Sequence, residues 1–282
     1  MRHLRDVKRC VMSEQGVTRR HFLGGVAAIA APALLPGSLA AAPDRFRKVD
    51  ESWAEYFGCS TQDLSRAGTL VVPHKALVGY DGVLVFRHAA ACIISVPDSV
   101  PEIERSKLRA AGPAEVFDPG FLAKVFLVRP ESVRGPLWIG IADQDSFKPV
   151  QSGARLLGDA DEPALMRLAE GCGELGWSRS RMKRQPKPIF GLFQGKDLVA
   201  VSGYLVIGNG FASIGMLTHP AQRGKGYRKA VASAAAADAI SKGYVALCRT
   251  LESEKERVAL ARSMGFHPYA SALDVWLAED EF

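Results

Sequence analysis

The sequence predicts an α/β (α+β) protein, a mixed and mostly antiparallel sheet flanked by helices, and three observations predict it. Short apolar runs of strand length alternate with helix-prone stretches from Thr69 onward. A hairpin pattern, Ile189 to Gln194 and Leu198 to Ile207, turns on Gly195-Lys196-Asp197. After it, the apolar run Phe211 to Thr218 meets a glycine loop, Arg223-Gly224-Lys225-Gly226-Tyr227, and a long alanine-rich stretch with helical propensity.

Composition bounds the function. The chain has 282 residues, 48% hydrophobic and 23% charged, enough for one large or two ordinary domains with a sizeable core. The formal charge of +6 is concentrated at the start: six basic residues within residues 1–42 face only Asp6 and Glu14, which leaves about +2 for the remainder. That balance gives no case for a nucleic-acid partner. Five cysteines occur without a C-x-x-C spacing, and Cys92 and Cys248 lie in apolar strand-like runs. They read as small buried hydrophobes, not as disulfides or metal ligands.

Residues 1–42 have the layout of an export signal. Thr18-Arg19-Arg20-His21-Phe22-Leu23 precedes a weakly apolar run that ends in small residues before Pro43, and the paired arginines resemble the twin-arginine signal. Gly24-Gly25, Pro32 and Pro36 make this run a poor membrane helix, so no integral span is expected in the mature chain. The expectation is an exported, extracytoplasmic protein if the signal is used, with a cytoplasmic location as the alternative.

Residues 50–145 then read as a smaller mixed α/β domain. A helix is expected over Glu51 to Phe57, strands over Thr69 to Val72, Gly82 to Arg87 and Ala91 to Val96, a charged helix from Pro101 to Ala110, and strands over Phe121 to Val128 and Leu137 to Ala142. His74 and His88 are isolated and read as hydrogen-bonded or surface residues. Polar residues around Pro149 mark a boundary, and residues 150–282 form the second expected domain. There Ala154 to Leu157 is a strand, and Asp159 to Asp161 with Pro163 opens a helix to about Cys172. Lys242-Gly243 stops the alanine-rich helix. Tyr244 to Thr250 is a strand, Glu252 to Met264 a helix, and Tyr269 to Leu277 the last strand.

The glycine loop carries the chemistry. Glycines permit positive φ and close approach of a ligand, and the free amides of the next helix's first turn point at whatever sits there. Arg223, Lys225, Arg228 and Lys229 add positive charge around the same turn, so a phosphate or pyrophosphate is the expected guest. Lys229 stands where a dinucleotide fingerprint needs its third glycine, and the Walker pattern is absent.

The order of elements from 154 to 277, with this loop directly after a strand, resembles the GCN5-related N-acetyltransferases. Their acetyl-coenzyme A loop follows [Q/R]-x-x-G-x-[G/A]. Arg223 takes the first place and Gly226 the fourth, while Arg228 replaces the small sixth residue. The flanking T-H-P-A-Q-R-G-K-G-Y and A-L-A-R-S-M-G-F-H-P-Y blocks and the hairpin fit the same family over about 125 residues. The resemblance implies acetyl-coenzyme A as co-substrate, with its pyrophosphate on the amides from Arg223 to Lys229 and its pantetheine arm along Met216-Leu217-Thr218. A backbone N–H near Leu217 would then polarise the thioester. It implies no metal. The acceptor would be a primary amine of a small molecule or a protein. The family's Asn and Tyr in the last helix are replaced by Glu254 and Ala261, so its tyrosine acid is missing. His219 as base and Tyr227 as acid are the candidates in their place, with Glu170 and Glu174 beside the acceptor mouth. The alternative to catalysis is a non-catalytic module that binds or senses acyl-coenzyme A. The sequence carries no signal of oligomeric state.

Overall fold

A computed structural model of the chain describes residues 46–277 apart from 78–79, 181, 183–187 and 209. The twin-arginine reading falls on residues 1–42 and lies outside the described residues. Among the described residues ten strands form one sheet: β1 (Gly68–Pro73), β2 (Val83–His88), β3 (Ala91–Val96), β4 (Val133–Ala142), β5 (Arg155–Leu156), β6 (Ile189–Gln194), β7 (Asp197–Ile207), β8 (Phe211–Thr218), β9 (Val245–Leu251) and β10 (His267–Val275). Their order is β1-β3-β2-β10-β4-β9-β8-β7-β6-β5. Pairing is antiparallel except for β1 with β3 and β8 with β9. This is the mixed, mostly antiparallel sheet that the sequence predicts.

The two halves of the chain share that sheet. The last strand, β10, lies between β2 and β4, and β4 in turn lies between β10 and β9. The polar segment around Pro149 therefore links parts of one sheet; residues 50–145 and 150–282 do not each close a sheet of their own. No neighbour-to-neighbour pattern in the sequence encodes this interleaving.

Among the described residues seven α-helices cover the sheet: α1 (Arg47–Phe57), α2 (Glu102–Ala110), α3 (Pro113–Val116), α4 (Pro119–Phe126), α5 (Glu162–Arg179), α6 (Tyr227–Ser241) and α7 (Lys255–Ser263). One sheet face packs against α1 and α5. Trp53 of α1 sits among Phe57, Phe86 and Phe211, with ring centroids at 5.6, 4.6 and 5.1 Å. Each such buried side chain contributes about 1.5–3 kcal/mol through apolar burial. The opposite face carries two blocks, α2 to α4 over β2, β3 and β10, and α6 with α7 over β4, β8 and β9. No helix among the described residues is long and apolar enough to cross a membrane.

One expected strand is a helix. Phe121 to Val128 falls on α4, because Asp118 caps the helix by accepting from the Phe121 amide at 2.7 Å and Pro119 suits its first turn. Leu122, Ala123 and Val125 then bury one stripe of it. The expected helix at 159–172 also runs further, to Arg179, through a break at Gly173 where φ is 70° and ψ is 163°.

Candidate active site

The loop at the start of α6 forms where two parallel strands part. β8 pairs with β9 only over Phe211, Ala212 and Ser213. Beyond Ser213 the strands separate, and the C-terminal ends of β8 and β9 flank a gap. Helix α6 links β8 to β9 and α7 follows β9, so both helices begin at this same edge.

Two glycines shape the loop. Gly224 and Gly226 each have φ of 79°, a left-handed conformation that a side chain disfavours. No heavy atom lies within 4 Å of the place a Cβ would take at either residue, so the loop is open to a ligand on that side. Hydrogen bonding inside the helix starts with Lys229 and Ala230, both donating to the Gly226 carbonyl at 3.0 and 3.2 Å. Among the described residues, the amides from Gly224 to Arg228 donate to no backbone carbonyl. Those free N–H groups, aligned with the positive end of the α6 dipole, suit an anion.

The surrounding charge has the same sign. Burial depresses the Arg228 guanidinium below its usual range, and the neighbouring Arg257 and Arg223 add to the effect. Neither Arg223 nor Arg228 has a carboxylate within ion-pair distance among the described residues, whereas Arg257 pairs with Glu254 at 2.8 Å. Lys225 Nζ donates to Gln222 Oε1 at 2.7 Å. Arg257 was not visible as a site residue in the sequence. It reaches the loop only because α7 starts beside α6, and no local motif marks it.

The β8 edge determines which backbone groups face the gap. The His219 amide donates to the Val199 carbonyl at 2.9 Å, and Ala200 pairs with Thr218 and Val201 with Leu217. Alternation along a strand then turns the Leu217 amide toward β7 and the Met216 and Thr218 amides toward the gap. The backbone donor expected near Leu217 would thus be a neighbouring amide, Met216 or Thr218, while the Leu217 side chain packs into the α5 cluster. The Met216 amide has a partner from α5's end, donating to the Ser180 carbonyl at 3.2 Å. The Cys172 thiol lies 3.8 Å from the Thr218 carbonyl, and burial raises the Cys172 pKa. Thr218 Oγ1 is buried with no hydrogen-bond partner among the described residues.

The candidate acid and base are less well placed. His219 Nδ1 accepts from the Ala221 amide at 3.3 Å. That bond leaves the proton of the neutral ring on Nε2, which abuts Gly171 of α5, so His219 presents a donor there. The Tyr227 ring packs with Leu192, Val199, Ala200 and Val231 on the β6–β7 side of α6. Ala261 is a core residue, and Glu254 stands just before α7, its carboxylate accepting from Thr250 Oγ1 at 2.5 Å. Glu170 and Glu174 are exposed on α5. His74 and His88 are hydrogen-bonded, His74 to Ser95 Oγ and the Gly82 carbonyl and His88 to the Leu64 carbonyl.

Several solved structures are similar to this chain. An acetyltransferase of the GNAT family from Novosphingobium aromaticivorans is 23% identical over 52% of this chain and 68% of its own, with a TM-score of 0.41. The GCN5-related N-acetyltransferase from Kribbella flavida is 16% identical over 81% of this chain and 93% of its own, with a TM-score of 0.44. An acetyltransferase from the GNAT family of Colwellia psychrerythraea is 16% identical, with a TM-score of 0.41, and the match spans 56% of its length. No family model matches the chain, and no curated protein matches it in sequence.

Proposed function

We propose that this protein is an acetyl-coenzyme A dependent N-acetyltransferase acting on a primary amine of a small molecule or protein. One observation carries the reading: α6 amides and the guanidinium groups of Arg223 and Arg228, free of partners among the described residues, lie where β8 and β9 part. These residues fit the co-substrate. The amides from Gly224 to Arg228 would hold its pyrophosphate, with Arg223 and Arg228 balancing the charge. Bound acetyl-coenzyme A supplies an activated acetyl thioester. The protein's own contribution is orientation: the separated strands admit an extended arm between them, and the gap-facing amides of β8 offer donors along it. Seating that arm against Met216 requires the Ser180 carbonyl to give up its hydrogen bond.

A second reading, binding of acyl-coenzyme A without transfer, is favoured by Ala261 in the place of the family's tyrosine and by the His219 tautomer. Incubating the protein with labelled acetyl-coenzyme A and a panel of amines separates the two. Label appearing on an amine supports the enzyme; tight binding with no labelled amine supports the sensor. Absence of binding overturns both.

A further inference from the structure

Helix α5 meets the gap-facing edge of β8 on both sides of its break at Gly173. Met216 and Thr218 turn their amides toward the gap, and the carbonyl of a strand residue points the same way as its amide. Before the break, the Cys172 thiol donates to the Thr218 carbonyl at 3.8 Å. After it, the carbonyl of Ser180, the residue that ends α5, accepts from the Met216 amide at 3.2 Å. Two of the peptide groups with which an extended ligand arm would pair are therefore already engaged.

The two parts of α5 are held differently. Ala164, Leu165 and Leu168 are buried before the break, whereas no residue from 174 to 177 is buried. Beyond Ser180 the chain is fastened again: Met182 is 1% exposed in the cluster that holds Leu168 and Leu217, and its amide donates to Ser180 Oγ at 3.1 Å. Gly173, with φ 70° and ψ 163°, occupies a region that residues with a Cβ avoid, and no heavy atom lies within 4 Å of the place its Cβ would take. A thinly packed stretch between a glycine break and an anchored end belongs to the parts of a fold that open locally.

We propose that residues 174–180 are a strap that shuts the donor channel in the free protein, the Ser180 carbonyl holding the Met216 amide, and that the pantetheine arm of the acyl donor opens it by taking that amide. The inference rests on the acetyl-coenzyme A reading of the α6 loop. The strap bows outward about Gly173 while Met182 stays in its cluster. Part of the donor's binding free energy goes into this opening, so its affinity is lower than an open channel would give. A ligand that has the pyrophosphate and no arm does not compete for the Met216 amide and leaves the strap shut.

The test is amide hydrogen exchange of the full chain, read by mass spectrometry, with acetyl-coenzyme A and with 3′-phosphoadenosine 5′-diphosphate, the nucleotide end of the same molecule without its arm. Both should bind. Acetyl-coenzyme A should speed exchange across residues 174–180 severalfold, and the armless nucleotide should leave it unchanged. Gly173→Ala strains the shut conformation without meeting a neighbouring atom. It should tighten acetyl-coenzyme A binding about tenfold and leave the affinity for the armless nucleotide and the circular dichroism spectrum as in the wild type. Bound acetyl-coenzyme A with exchange across 174–180 unchanged or slowed, or acetyl-coenzyme A affinity in Gly173→Ala no higher than in the wild type, would overturn the strap and leave the cradle standing. Binding of neither ligand would overturn the cradle, and the strap with it.

Discussion

Arg228 is the residue at which this chain departs most usefully from the expected loop. A guanidinium half-buried beside Arg223 and Arg257 is costly without an anion, and among the described residues Glu254 and Glu256 are what oppose it. Arg228→Ala should therefore raise thermal stability slightly in the absence of ligand and weaken acetyl-coenzyme A binding about tenfold, measured by calorimetry and by thermal shift. A variant that binds as tightly as wild type would remove Arg228 from the site. The sequence showed the charge and the glycines of this loop. It could not show that the Leu217 amide points away from the gap, because that depends on the β7–β8 register, nor that Arg257 joins the cluster from another helix.

Asp161 gives a prediction about acid. The Arg155 guanidinium, bonded bidentately at 2.6 and 2.7 Å, and the Gly158 amide hold its carboxyl at about 2, below the usual 3.8. A folded-state pKa below the unfolded one adds stability that is present above the unfolded value and is lost as pH falls from 3.8 toward 2. Asp161→Asn should flatten the loss of stability across that window in urea titrations at stepped pH, with little change at neutral pH beyond the lost ion pair. An unchanged slope would show that Asp161 does not carry it.

At the scale of elements, the C-terminal end of α6 is tied to the strand next to the loop. Tyr204 Oη of β7 donates to Asp238 at 2.7 Å, and Lys242 Nζ donates to both at 2.8 and 3.1 Å. Tyr204 is 2% exposed, so Asp238→Ala leaves a covered hydroxyl short of its acceptor. The expected loss is about 1–3 kcal/mol of unfolding free energy in urea, with a matching loss of acetyl-coenzyme A affinity if α6 shifts its first turn. The elements from the hairpin onward were legible because glycine turns and apolar runs punctuate them. Phe121 to Val128 misled because a short amphipathic helix and a buried strand both give compact apolar runs. There the Asp118-Pro119 cap, not the apolar run, decides the outcome.

For the whole molecule, the sheet order carries a consequence that two separate domains would not. β4 supplies the only strand between β9 and β10, so residues 150–282 alone lack the partner that joins their last two strands. Expressed by itself, this fragment should be unfolded or associated, whereas residues 43–282 should unfold in one cooperative step. Circular dichroism and sedimentation would check both. A monomeric fragment with native-like cooperative unfolding would show that the interleaved strands are dispensable. The interleaving was not legible because each strand's local pattern reports its two faces and never its neighbours.

The proposed activity rests on the anion cradle at the β8–β9 gap, and isothermal titration of the full chain with acetyl-coenzyme A tests that cradle most directly. Saturable binding should be lost in Gly226→Asp, which sets a carboxylate among the free α6 amides, while circular dichroism shows the fold retained. Undiminished affinity in that variant, or no binding by the wild type, would contradict the assignment.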